Sequence, residues 1–299
     1  MREIYTKQSL WSKILNNIFI FTNSKKNSSS EEEAKRFISR VSKKKYNLKN
    51  LKNFTLDLID SEKVYTFNGS LNQKNSRIIL YVHGGNFVER ANKHQLSFAK
   101  KIAIQTNSIL VFPFYELLPE GNYKKMNELL SLVYKRILLT EPKEIIFLGD
   151  SAGGGSVLSF AMQLRNVRIF QPSNIILLSP WLDLSMSNPQ LYNDAKKDKM
   201  NDVDGIRYEG FLWSAGDDVY NPIISPMYGS FENLGKISLI FGGQGILSSE
   251  CMKFDEILNN AKIDHNFLFY KNEGHDFAAY PTREGRKAIK EIADIINNS

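Results

Sequence analysis

Cysteine is almost missing from this chain: Cys251 is the only one in 299 residues. A single thiol excludes an internal disulfide and any zinc cluster built on cysteines, and it fits a reducing compartment. Histidine is scarce too, so an imidazole base must be His83, His94, His265 or His275. No apolar run is long enough to span a bilayer. The segment Leu15 to Phe21 is short and is broken by Asn16 and Asn17. The N-terminus also lacks the continuous apolar region and small-residue cleavage site of a signal peptide. Together these absences lead to the expectation of a cytoplasmic protein.

Charge of one sign is not concentrated anywhere. The net charge is +7, yet the basic residues are spread along the chain and its largest run is Lys43-Lys44-Lys45, without interleaved aromatics. A nucleic-acid footprint needs clustering, so no nucleic acid is expected as a partner. Near the start, Trp11, Ile14, Leu15 and Ile18 fall at helical spacing and form one apolar stripe. A helix docked on the rest of the protein accounts for it. The alternative is a membrane-surface helix aided by Lys7, Lys13, Lys25 and Lys26.

Beyond residue 50 the chain alternates between short apolar runs and helical patterns. Strands are expected at Leu56–Ile59, Val64–Phe67, Arg77–Val82, Ser108–Phe114, Glu144–Leu148, Asn174–Leu178, Lys236–Phe241 and His265–Tyr270. Helices fall between them. That rhythm predicts an α/β fold with a mostly parallel central sheet and helices on both faces. Residues 181–235 interrupt the rhythm with Pro, Asn, Asp and Ser. The expected division is an N-terminal helical cap segment over 1–50 and a main domain over 51–299. A small cap forms from the N-terminus and the 181–235 excursion, with Asn23 to Ser30 as a linker.

Three motifs carry chemistry. Gly149-Asp150-Ser151-Ala152-Gly153 lies between an apolar strand and an apolar helix. A serine hydroxyl becomes a useful nucleophile only when exposed, held against a base and placed near positive potential. A sharp strand-to-helix turn meets those needs, and flanking glycines let the backbones approach. The competing reading is a turn that packs or binds a phosphate, helped by Gly153-Gly154-Gly155. It lacks the endings of a P-loop or dinucleotide site. His83-Gly84-Gly85-Asn86, just after a strand, can turn N–H groups toward a developing oxyanion. Gly274-His275-Asp276-Phe277 follows the last strand, where a histidine reaches back over the sheet. Only His275 combines loop placement with the serine-then-histidine order.

These motifs, with Ser179-Pro180-Trp181-Leu182-Asp183 and Asn221-Pro222-Ile223-Ile224-Ser225-Pro226, resemble the hormone-sensitive-lipase-like branch of the α/β-hydrolases. The resemblance spans roughly residues 64 to 299. It implies a carboxylesterase or lipase with a helical cap, a small-molecule ester substrate and no cofactor or metal. It also implies oxyanion donors at Gly85, Asn86 and Ala152, with Gly84 shaping the loop. Asn86 stands where that branch more often has a third glycine. Phe87, Tyr115 and Trp213 are candidates to line the substrate pocket.

The pattern breaks at the acid. The branch usually places it two residues before the leucine of Gly245-Ile246-Leu247, and Gly245 can orient nothing. Three readings stay open: Glu250 reaching from the next helix, a substitute among Asp183, Asp217 and Asp218, or a Ser–His pair alone. The expected function is therefore a serine carboxylic ester hydrolase for short- to medium-chain acyl esters. Its alternative is a weak or inactive ligand-binding protein on the same fold. Oligomeric state is not legible.

Overall fold

The computed structural model describes residues 1–21, 29–44, 46–74 and 76–299; Ile18 of the apolar stripe and most of the expected linker fall outside the described side chains or residues. In chain order the strands are β1 (Arg2–Tyr5), β2 (Thr55–Ile59), β3 (Glu62–Phe67), β4 (Arg77–Val82), β5 (Ser108–Pro113), β6 (Glu144–Asp150), β7 (Asn174–Leu178), β8 (Lys236–Gly242) and β9 (His265–Tyr270). The helices are α1 (Leu10–Phe21), α2 (Glu31–Ser42), α3 (Lys93–Gln105), α4 (Tyr123–Leu138), α5 (Ala152–Asn166), α6 (Leu191–Lys197), α7 (Val203–Trp213), α8 (Ser248–Asn260) and α9 (Arg283–Asn297).

Among the described residues the strands form one sheet in the order β1-β9-β8-β7-β6-β4-β5-β3-β2. From β1 to β5 neighbours run parallel, and β3 and β2 close the far edge antiparallel. Central strands are buried on both faces, which explains why β4, β6 and β7 read as continuous apolar runs rather than alternating ones. Ile79 and Tyr81 face a core shared with α3 and α9. Ile78, Leu80 and Val82 face the opposite core, which α4, α5 and α8 cover and the cap helices α6 and α7 extend. Asn92 and Asn122 cap α3 and α4 through their side chains, so both helices start where the sequence places them.

Two N-terminal expectations need correction. Residues 2–5 are an edge strand parallel to β9, not helix. Arg2 fixes it with a bidentate pair to Asp255, 2.8 Å at each nitrogen. Nor does the apolar stripe on α1 dock through its first two members: Trp11 is 51% and Ile14 40% exposed, while Leu15 is half-buried. Polar contacts hold that helix instead. Ser12 is buried with its hydroxyl on Glu273 (2.5 Å), Gln8 donates to the Asn272 carbonyl (2.7 Å), and Ser9 donates twice to Glu284 (2.7 Å each). α2 packs on α7, which also contacts α6. No described helix is long and apolar enough to cross a membrane.

Candidate active site

β6 ends at Asp150 and α5 starts at Ala152, so Ser151 alone makes the turn. Its backbone sits at φ 51°, ψ −122°, a region a non-glycine residue occupies only when its surroundings force it. The Ser151 N–H donates to the Leu178 carbonyl (2.8 Å), and its own carbonyl accepts from Gly154 and Trp181. Gly153 is required here, because a Cβ on it would run into the Val82 carbonyl oxygen. The result is a hydroxyl above the sheet at a helix N-terminus, where the potential favours negative charge.

His275 follows β9 and its Nε2 lies 3.0 Å from Ser151 Oγ. The ring is buried, and burial lowers its pKa from the ordinary 6.5, with the Asp198 charge opposing that shift. His83 is not a competitor. It is fully buried, its Nδ1 lies 2.6 Å from the Gly84 carbonyl, and burial pushes its pKa down to about 3. It is a neutral wedge in the loop after β4.

That loop is shaped from beneath. Asp150, one residue before the serine, accepts from Tyr81 Oη (2.6 Å), Gln95 Nε2 (2.7 Å) and the Gly84 N–H (3.0 Å). Gly84 therefore spends its donor on the loop itself. Gly85, Asn86 and Phe87 follow at φ of 109°, 54° and 60°. The N–H groups of Gly85, Asn86 and Ala152 have no acceptor among the described residues, which leaves three donors beside the serine. The Asn86 side chain finds room by donating to Asn201 of the cap at 3.4 Å.

The expected lining residues divide. Phe87 and Trp213 stack with ring centroids 4.0 Å apart and border a cavity of about 10 Å³ next to Ala152. Tyr115 does not line it. It is buried under the loop, stacks on His83 at 4.5 Å and donates to the His83 carbonyl at 2.8 Å. A larger cavity of about 400 Å³ borders His275 and is walled mainly by polar side chains, including Gln8, Gln244, Asn272 and Thr282.

None of the acids considered from the sequence is bonded to His275. Glu250 is buried in the first turn of α8, which aims it at Asn188 and at the carboxylates of Asp183 and Asp194 in the cap. Burial and those like charges push its pKa up, so it is a poor charge to place against an imidazole. Asp183 is consumed by Ser185, Ser187 and Tyr228, Asp217 by Tyr123 and Lys124, and Asp218 caps the Tyr220 N–H. The sequence reading missed two other acids. Asp276 has a carboxyl oxygen 3.4 Å from His275 Nε2, on the nitrogen that already faces the serine. Asp198 enters from the end of α6 and lines the larger cavity with His275. It lies in the irregular excursion, where nothing marks one Asp from its neighbours.

A family model described as the alpha/beta hydrolase fold matches residues 79–279, about two thirds of the chain. The chain belongs to that family. Among curated relatives, an esterase of Acinetobacter venetianus is 25% identical over 225 residues, covering 73% of this chain and 74% of that one. Esterase LipU of Mycobacterium tuberculosis is 24% identical, with 75% and 78% covered. A solved Staphylococcus aureus structure matches with TM-score 0.84 and 25% identity, over 92% of this chain and 96% of that one. A structure described as an esterase from the bacterial hormone-sensitive lipase family matches with TM-score 0.80 over 98% and 99%, at 18% identity. The fold read from the motifs is the one found by comparison.

Proposed function

We propose that this hydrolase cleaves carboxylic esters through an acyl-enzyme on Ser151. The observation that carries the reading is the 3.0 Å approach of Ser151 Oγ to His275 Nε2, beside three uncommitted N–H donors. His275 takes the hydroxyl proton as Oγ attacks the ester carbonyl, and the N–H groups of Gly85, Asn86 and Ala152 receive the oxyanion. Collapse expels the alcohol, protonated by His275. Water then repeats the sequence and frees the acid. Each donor in such a hole is worth about 3–4 kcal/mol of transition-state stabilisation.

The two cavities suit the two halves of an ester. The small one, beside Ala152 and closed by the Phe87–Trp213 stack, has room for only about one water, so the acyl group enters as that stack parts, and the larger one takes the alcohol. Short acyl chains are therefore preferred, toward the lower end of the range expected from the sequence. Among p-nitrophenyl esters, kcat/KM for the acetate will exceed that for the octanoate by on the order of 10²-fold. Trp213→Ala, which opens the stack, will narrow that ratio; an unchanged ratio places the acyl group elsewhere.

Labelling with a fluorophosphonate probe tests the central reading. Wild type will label and Ser151→Ala will not, and ester hydrolysis will disappear with the label. Folded wild-type protein that neither labels nor turns over esters counts for the competing reading, a binding protein. Gly245 is the one feature that favours it.

A further inference from the structure

The empty acid position is visible in three dimensions. A Cβ on Gly245 would stand 3.1 Å from the His275 Cα and backbone nitrogen and 3.2 Å from its Cβ, so a carboxylate there would lie alongside the base. The next residue points to what replaces it. The Ile246 N–H donates to Asp198 Oδ2 at 2.7 Å, which brings a carboxylate from the cap to within one residue of the vacant place. The other oxygen, Oδ1, accepts from the Met200 N–H (2.6 Å) and the Asn201 N–H (2.8 Å). Asp198 is 2% exposed.

The base has a matching need. His275 Nδ1 is buried without a hydrogen-bond partner among the described residues. A serine hydrolase requires that nitrogen to hold its proton, so that Nε2 stays free to accept one. Asp276 cannot supply this from the Nε2 side. Glu273, also at the cavity, has its Oε2 on Ser12, and burial pushes its pKa up toward the neutral form. Lys197, Lys199 and Lys13 complete the charged groups facing the cavity.

Resting on the Ser151–His275 reading above, we infer that Asp198 is the positioning acid of this hydrolase, supplied by the cap in place of a residue at 245. Nδ1 comes into hydrogen-bond distance when substrate closes the site, since such bonds are often long in the unliganded state. The loop 198–201 also meets the Asn86 side chain through Asn201. One cap segment thus reaches both the base and the oxyanion loop, and seating the cap assembles both.

Asp198→Asn keeps the shape and one acceptor oxygen but removes the charge. It will lower kcat by on the order of 10³-fold and move the acid limb of the pH profile to lower pH, because burial of His275 is then unopposed. Adding Gly245→Asp to that variant will restore both kcat and the limb. NMR titration of the His275 ring gives a readout independent of turnover, with a midpoint lower in Asp198→Asn than in wild type. Unchanged kcat and midpoint in a folded Asp198→Asn protein, while Ser151→Ala still abolishes hydrolysis, overturn the proposal. Should Asp198→Asn fail to fold, Gly245→Asp in the wild type decides. If Asp198 already serves, the new acid raises kcat no further; a gain of on the order of 10²-fold or more means His275 had no acid. Absence of hydrolysis and labelling in wild type overturns the functional reading instead, and the His275 titration still tests Asp198.

Discussion

His275→Gln will reduce kcat for p-nitrophenyl acetate by on the order of 10⁴–10⁶-fold, leaving only what binding and the oxyanion donors supply. Glutamine fills similar space and can still meet the Ser151 hydroxyl, but it cannot take its proton. The loss should therefore fall in kcat far more than in KM. Wild-type activity needs the neutral ring, so it is present above the His275 pKa and falls as pH drops through it. Burial lowers that pKa beneath 6.5, which puts the acid limb of kcat/KM below the ordinary histidine range. Stability shares the sign. Between the lowered folded value and 6.5 the unfolded chain holds a proton that the folded chain lacks, so acid destabilises wild type through this group. His275→Gln removes that contribution, and its melting temperature will fall less than that of wild type between pH 7 and pH 5. A kcat within tenfold of wild type would remove His275 from the mechanism.

The parts of this site legible in the sequence are those whose physical requirement is local. Ser151 needs glycines two residues away on either side and an apolar strand and helix around it, all within about twenty residues. The loop after β4 announces itself by glycines that follow an apolar run. Asp150 and Asp276 lie beside the serine and the histidine, but nothing local marks a role for them, because their partners lie far away in sequence: Tyr81, Gln95 and Gly84 for the first, and Asp150 itself for the second. Asp198 was invisible for the same reason. Its meaning depends on the Ile246 N–H, 48 residues on, and on a gap at Gly245. Tyr115 misled because a large aromatic after a central strand can line a pocket or support a loop, and only packing decides. β1 was missed because Arg2–Tyr5 is a short, mostly exposed edge strand that carries no core pattern.

Asp150→Ala will destabilise the protein by about 3–5 kcal/mol and slow any remaining catalysis by on the order of 10²-fold. Truncation strands three buried donors and releases the Gly84 N–H, so the loop carrying Gly85 and Asn86 loses its anchor. The neighbouring Asp276 behaves differently. Burial and the Asp150 charge raise its pKa well above 3.8; burial also raises that of Asp150, but there three donors oppose the shift. Of the pair, Asp276 is therefore the member that favours the neutral form. An acid whose folded pKa lies above its unfolded one contributes fully below the unfolded value, and that contribution is lost as pH rises through the folded one. Asp276→Asn keeps a donor toward Asp150 without a proton to lose. Wild type and Asp276→Asn should therefore melt together near pH 4, and the variant should gain on wild type as pH rises. Parallel melting curves from pH 4 to pH 8 would show that the two aspartates do not share a proton.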